Sequence, residues 1–323
     1  MSRAGQVAEV GVTSDTGRLR DHNEDSYLVS PPVYAVADGM GGHAAGEVAS
    51  RLALESLESA GLRGESGLKH IRQALSEANR VVYQQASEEG PSRGMGTTCA
   101  VLIVADGVAH LGHVGDSRIY LLRGDSLTRL TRDHTVVADM VEEGLLTDEQ
   151  AQTDSGRSYL TRALGGAPAV EADARTVETD AGDRLLLCSD GLTTMLNDGQ
   201  IQAILAAEAD PQVAADRLVS AANAAGGEDN ITAIVVDPAP SVVPAVARPK
   251  RATSWIQAAI VVLALTAGIL ALLFFNGPLA PPPAASTPPA VQQPATPSPE
   301  LPTGTPAPQS PTAPASPRAT STP

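Results

Sequence analysis

Apolar residues recur in short runs punctuated by Gly, Asp and Asn: QVAEVGV, DSYLV, VYAVA, TTCAVLIVA, GVAHLGHVG, RIYLLR, VEADARTVE, DRLLLCS and ITAIVVD. Each is of strand length, and most follow their neighbour through a short turn, which predicts antiparallel meanders in preference to βαβ crossovers. Two helical stripes interrupt the first half of the chain: Ala49, Leu52, Ala53, Leu57 and Ala60, then Leu68, Ile71, Leu75, Ala78 and Val82. A second pair comes late, with Ile201, Ile204 and Leu205 on one stripe and a further helix starting at Pro211 with Asp210 as its N-cap. Helices arriving in pairs between runs of strands imply a sheet core covered on its faces. Residues 131–166 fit neither period; the short helix TVVADMVEEG among polar turns reads as a surface insertion.

Composition divides the 323 residues more sharply than length does. Residues 1–240 carry these elements and form one globular domain. Residues 241–254 are a basic juxtamembrane linker, and 255–275 read as a transmembrane helix: the charge-free stretch Ile256–Phe275 would span about 30 Å, the thickness of a bilayer's hydrocarbon. Arg248, Lys250 and Arg251 precede the span and only Arg318 follows it. The positive-inside rule then keeps the domain in the cytoplasm. The tail, 276–323, is built of Pro, Thr, Ala, Ser and Gln and reads as a disordered extracytoplasmic stalk. Of 22 Lys and Arg, 18 lie in residues 1–247, against 36 of the 37 Asp and Glu. So acidic a domain is a poor partner for nucleic acid. Cys99 and Cys188 both sit in strand-like apolar runs without metal-ligand spacing, which predicts inert buried thiols in a reducing compartment.

One turn raises the question of chemistry. VADGMGGHAAGE, Val36–Glu47, runs from strand through glycines towards a helix, and GMGGHA satisfies the dinucleotide fingerprint G-x-G-x-x-[G/A]. Asp38, however, would aim negative charge at a pyrophosphate, and the acidic residue expected some 20 positions on falls at Glu58, inside a helical stripe. Asp38 also has company. Asp116, Asp190 and Asp229 each stand at the edge of a hydrophobic strand beside a turn former, as do Glu24 and Asp25. A lone Asp there is an ordinary turn residue. Five such sites suggest one sheet edge lined with carboxylates, a cluster whose mutual repulsion a hard divalent cation would offset. Oxygen ligands without a Cys or His pattern favour Mg²⁺ or Mn²⁺ over Zn²⁺. Gly39, lacking Cβ, would let its own carbonyl approach such an ion.

RDHNEDS (Arg20–Ser26), VADGMGGHAAGE, GTT (Gly96–Thr98), GHVGDSRIYL, LTRDHT, LLLCSDGL and GEDNIT occur in the order and at about the separation of the motifs of the PPM or PP2C family. Over residues 5–237 the chain resembles these metal-dependent serine/threonine phosphatases. It is similar to their bacterial branch, whose members are often joined to a transmembrane helix and paired with a membrane serine/threonine kinase. The resemblance implies an α+β fold, a four-layer α/β/β/α sandwich with two central antiparallel sheets flanked by helix pairs. It implies hydrolysis of phosphoserine and phosphothreonine in phosphorylated proteins by a water bridging two Mn²⁺ or Mg²⁺ ions. Asp38 would bridge both ions, with Glu24 and the Gly39 carbonyl on one and Asp190 and Asp229 on the other. Asp116 and Asp190 would hold a third, weaker ion. Arg20 would grip the substrate phosphate, Asp25 and Asn230 would orient ligands, and 131–166 would be a flap beside the site. Met40 stands where other branches carry a histidine general acid; His43 or a metal-bound water would have to replace it. A catalytically weak docking module of the same fold is the alternative, whose signature, a missing metal carboxylate, this sequence lacks.

Overall fold

Alternation within single strands sets the architecture. In VYAVA the side chains of Tyr34 and Val36 enter one core and those of Ala35 and Ala37 another, and in RLLLC Leu185 and Leu187 part company with Leu186 and Cys188 in the same way. Side chains alternate across a strand, so a strand apolar on both faces must lie between two packed layers. The computed structural model describes residues 8–41, 45–90, 92–147, 150–151 and 154–239. By packing the chain divides into two units, Met1–Arg248 and Pro249–Pro323. The second lies wholly outside the described residues, and with it the membrane span expected at 255–275. Among the described residues no helix is long and apolar enough to cross a membrane.

In chain order the first half contains β1 (Glu9–Asp15), β2 (Asp25–Ser30), β3 (Val33–Met40), α1 (Ala45–Ser59), α2 (Leu68–Ser87), β4 (Gly96–Thr97), β5 (Cys99–Ala105) and β6 (Val108–Val114). There follow β7 (Arg118–Arg123), β8 (Ser126–Arg129), α3 (Val136–Glu142), β9 (Asp173–Glu178), β10 (Arg184–Cys188), α4 (Asp190–Met195), α5 (Asp198–Ala207), α6 (Pro211–Ala225) and β11 (Ile231–Asp237). One sheet runs β1-β11-β10-β7-β8 and the other β2-β3-β5-β6-β9, with β4 paired to β3. The ladders are antiparallel, as the short turns require. Tyr34, Val36, Leu102, Leu111, Ile119, Leu185, Leu187 and Ile234 fill the space between the sheets. Helices α1 and α2 cover the second sheet through Ala49, Ala53, Leu57, Ile71, Leu75 and Val82. Helices α5 and α6 cover the first through Ile201, Leu205, Ala214, Leu218 and Ala222. The four-layer α/β/β/α sandwich is the result.

Asp210 caps α6 as the sequence predicts: its carboxylate accepts from Gln212 N–H at 2.7 Å, with Pro211 in the first turn. The segment 131–166 differs from a simple surface insertion. Val136, Leu145 and Tyr159 are exposed, but its ends are built into the core, with His134 and Leu164 fully buried and bridges at Thr97–Leu164 and Thr135–Leu160.

Buried Arg184 ties the last strand to a helix end. Its guanidinium donates to both oxygens of Asp237, at 2.7 and 2.6 Å, to the carbonyl of Leu205 in the last turn of α5, and to those of Glu208 and Ala209 just after it. Arg184→Ala leaves those carbonyls and Asp237 without partners, and chemical denaturation should show a loss of about 3 kcal/mol; a loss below about 1 kcal/mol would mean water replaces the guanidinium.

Candidate active site

Five stretches of the chain converge at one end of the sandwich. The β1–β2 loop brings Arg20 and Glu24, and Asp25 opens β2 directly opposite Asp38 in the β2–β3 ladder. Asp38 and Gly39 end β3. Asp116 lies in the turn that carries the chain from β6 in one sheet to β7 in the other, Asp190 opens α4 straight after β10, and Asp229 and Asn230 lead into β11. All the residues singled out in the sequence are therefore placed together, with ligand candidates contributed by both sheets; His43 lies outside the described residues.

The convergence has an electrostatic cost. Asp38, lifted first by burial, is raised well above the usual carboxylate range, and Asp25, Asp190, Asp116 and Asp229 each push it further. Burial likewise raises Asp116 well above its ordinary value, with Asp190 and Asp133 adding repulsion. Asp190 is raised by burial and by Asp229, against a side-chain hydrogen bond with Asp38. Glu24 is raised by burial in spite of a hydrogen bond from Gly46 N–H. Burial drives Asp25 up to about 7. Among the described residues, Glu24 Oε1 and Asp25 Oδ1 are buried without a hydrogen-bond partner. A set of carboxylates that repel one another and leave buried oxygens unpaired fits hard divalent cations, which supply the missing positive charge and accept oxygen lone pairs.

Small polar residues hold the acids in place. Asp38 N–H donates to Thr98 Oγ1 at 2.9 Å, and Asp38 O accepts from Thr98 N–H at 2.9 Å and from Thr97 Oγ1 at 2.8 Å. Thr98 Oγ1 in turn meets Ser117 Oγ at 2.7 Å. Asp25 Oδ2 accepts from Ser189 Oγ and Thr232 Oγ1, both at 2.7 Å, so this carboxylate staples one sheet to the other. Asn230 donates through Nδ2 to the carbonyls of Thr16 and His22, each at 2.8 Å, and accepts from Glu24 N–H at 2.8 Å. It thereby fixes the loop that presents Arg20 and Glu24. Thr97, Thr98, Ser117, Ser189 and Thr232 all stand in the motifs GTT, GHVGDSRIYL, LLLCSDGL and GEDNIT, but the sequence assigns none of them a role, because Ser and Thr in strand-like runs look like ordinary strand and turn residues.

Gly39 is glycine for a reason beyond carbonyl access. A Cβ there would fall 2.1 Å from Gly46 O and 2.6 Å from Glu24 O, so the start of α1 packs directly on the end of β3. That contact delivers Gly46 N–H to the Glu24 carboxylate. Met40 pairs with Gly96 at the end of β3 and carries no transferable proton. Arg20 stands at the exposed mouth, its Nη2 2.6 Å from Asp229 Oδ2.

Beside the carboxylates lies a second cluster. His113, His134 and Asp173 bring one side-chain ligand atom each to within 4.8 Å of one another. The two rings are 4.6 Å apart and tilted by 47°. Burial pushes His113 down to about 3, and among the described residues neither of its ring nitrogens has a hydrogen-bond partner. The two cysteines are buried and free, and burial pushes each thiol up to about 12, which leaves them inert.

Residues 20–223 match the family model described as protein phosphatase 2C. The serine/threonine phosphatase stp of Listeria innocua is 38% identical over 235 residues, covering 69% of this chain and 93% of that protein. The serine/threonine protein phosphatase PstP of Mycobacterium tuberculosis is 42% identical over 241 residues, covering 73% of this chain and 46% of the relative. The crystal structure of the M. tuberculosis phosphatase PstP/Ppp superposes with a TM-score of 0.68 at 40% identity, over 72% of this chain and 99% of that one. A structure of the PstP catalytic domain in complex with two manganese ions superposes with a TM-score of 0.66 at 39% identity, over 72% and 98%.

Proposed function

This chain belongs to the protein phosphatase 2C family and is a metal-dependent serine/threonine protein phosphatase using Mn²⁺ or Mg²⁺; from that premise we propose how its own residues divide the work and where in the cell they do it. The observation that carries the assignment is the mutually repelling set Glu24, Asp38, Asp116, Asp190 and Asp229, drawn from both sheets around one pole. Asp38, at the centre, would be the ligand common to two cations, with Glu24 and the Gly39 carbonyl completing one position and Asp190 and Asp229 the other. Asp116 with Asp190 would hold a third. When bound, the ions supply a water of lowered pKa and offset the charge of the phosphoryl oxygens. The water oxygen joins phosphorus, the bond to the serine or threonine oxygen breaks, and the leaving oxygen takes its proton from water, since Met40 has none to give.

Arg20 orients the phosphate. Its planar fork suits two phosphoryl oxygens, and its exposure at the mouth lets a phosphoprotein side chain reach it. Arg20→Ala should raise KM for a phosphothreonine peptide by about 10- to 100-fold, with a smaller change in kcat, and Arg20→Lys should recover only part of the loss. An unchanged KM in the alanine variant would assign the phosphate to another group. The activity itself is tested on the full-length protein with Mn²⁺ and a phosphothreonine peptide; turnover that survives EDTA would sink the metal assignment.

The domain is anchored by a single transmembrane helix at 255–275, with the catalytic part cytoplasmic and the Pro-rich tail exported, and it opposes a membrane serine/threonine kinase. Support comes from the charge-free stretch Ile256–Phe275 and the bases before it. Recovery of the full chain in a carbonate-washed membrane fraction is expected, and its release by carbonate would exclude the span.

A further inference from the structure

Gly115 precedes Asp116 and is held from two sides. Its φ is +107°, and a Cβ would fall 2.6 Å from Thr98 Cβ, so it is wedged against the residue that grips the Asp38 backbone. From the other side comes His134, on the stem of the flap. His134 N–H donates to Gly115 O at 2.8 Å, and Gly115 N–H donates to His134 Nδ1 at 3.1 Å. The His134 carbonyl accepts from Thr161 N–H at 2.8 Å, where the flap returns to the core.

The ring's hydrogen bonds also fix its tautomer. Because Nδ1 accepts, the proton of the neutral ring sits on Nε2, facing Asp173 Oδ2 at 3.2 Å; Asp173 also accepts from Arg162 at 2.9 Å. Both nitrogens of His134 are therefore committed. A cation bound among His113, His134 and Asp173 would need one of them free, so the His134–Asp173 pair serves as a hydrogen-bonded support in place of a metal site.

We propose that His134 is a positioning residue: by clamping the Gly115 peptide through ring and backbone together, it aims Asp116 at the third cation position and makes the flap stem a working part of the metal centre. The inference rests on the reading of Asp116 as a metal ligand, and the experiment separates the two. Mn²⁺ is titrated calorimetrically into the metal-stripped full-length protein and into Asp116→Asn, His134→Ala, His134→Gln and His134→Asn, with thermal melts of each. The Asn Oδ1 can accept from Gly115 N–H where Nδ1 does, whereas the longer Gln places its amide nearer the Nε2 position.

Asp116→Asn should weaken the weakest Mn²⁺ binding step by about 10- to 100-fold, and His134→Ala and His134→Gln should follow it, leaving the tighter steps unchanged. His134→Asn should stay within about threefold of the parent. An unaltered weak step in Asp116→Asn would remove the premise. A weak step lost in Asp116→Asn but kept in His134→Ala would overturn the role of His134. So would equal loss in His134→Asn and His134→Gln with parental melting. If His134→Ala does not fold, the Asn against Gln comparison decides alone: a difference upholds the clamp and equality overturns it.

Discussion

Asp38→Asn should lower kcat/KM on a phosphothreonine peptide by about 10³-fold, roughly 4 kcal/mol of transition-state stabilisation. The amide keeps the size of the side chain, and the backbone stays held by Thr97 and Thr98, so the loss reports the missing charge and not a displaced strand. Stability should move the other way. Asp38 is buried among four other carboxylates that oppose its ionisation, and a neutral amide removes that repulsion. Metal-free Asp38→Asn should therefore melt above the metal-free parent at pH 8 while being nearly inactive with Mn²⁺. Activity within tenfold of the parent would show that Asp38 is not the shared ligand.

Removing metal should make stability fall with rising pH, the reverse of ordinary acid unfolding. Asp25, Asp38, Asp116 and Asp190 all have folded-state pKa values above their ordinary ones, Asp25 from 3.8 up to about 7. Between the unfolded and folded values the native state binds more protons, so stability declines as pH rises through that interval. His113 and His134 act in the opposite sense, since burial lowers both, but little of their contribution remains to be gained above the ordinary 6.5. The clean window is therefore pH 6.5 to 8. In EDTA, calorimetry should give a lower Tm at pH 8 than at pH 6.5, a shallower fall for Asp38→Asn, and a larger Mn²⁺ rescue at pH 8. A Tm that rises across the window would mean that the carboxylates lie farther apart than their mutual repulsion implies.

The strands were legible because each two-sided strand reads as a nearly continuous apolar run, and the acids because each stands where such a run stops. β8, residues Ser126–Arg129, was not. It is a mostly exposed edge strand with one apolar residue in SLTR, so no period marks it. The helix Asp190–Met195 is too short for a helical stripe to register. Local patterning also hides supports that act across the chain: Ser189 and Thr232 reach Asp25 over 164 and 207 residues, and nothing near any of the three announces it. His134 is the strongest case. In the sequence it stands in LTRDHT, at the start of a segment that reads as a surface insertion and with no role assigned, yet its ring is buried because it is spent on a glycine nineteen residues earlier.

The pairing of β1 with β11, Glu9 opposite Asp237, has a consequence for synthesis. The first strand waits for the last, and at about 5–20 residues per second the ribosome needs roughly ten to fifty seconds to make what lies between them. Throughout that interval one edge of β10 is open and Asp229 has not been joined to the other acids. The nascent chain therefore has no phosphatase activity to release early, and its exposed strand edges need a chaperone or speed to protect them.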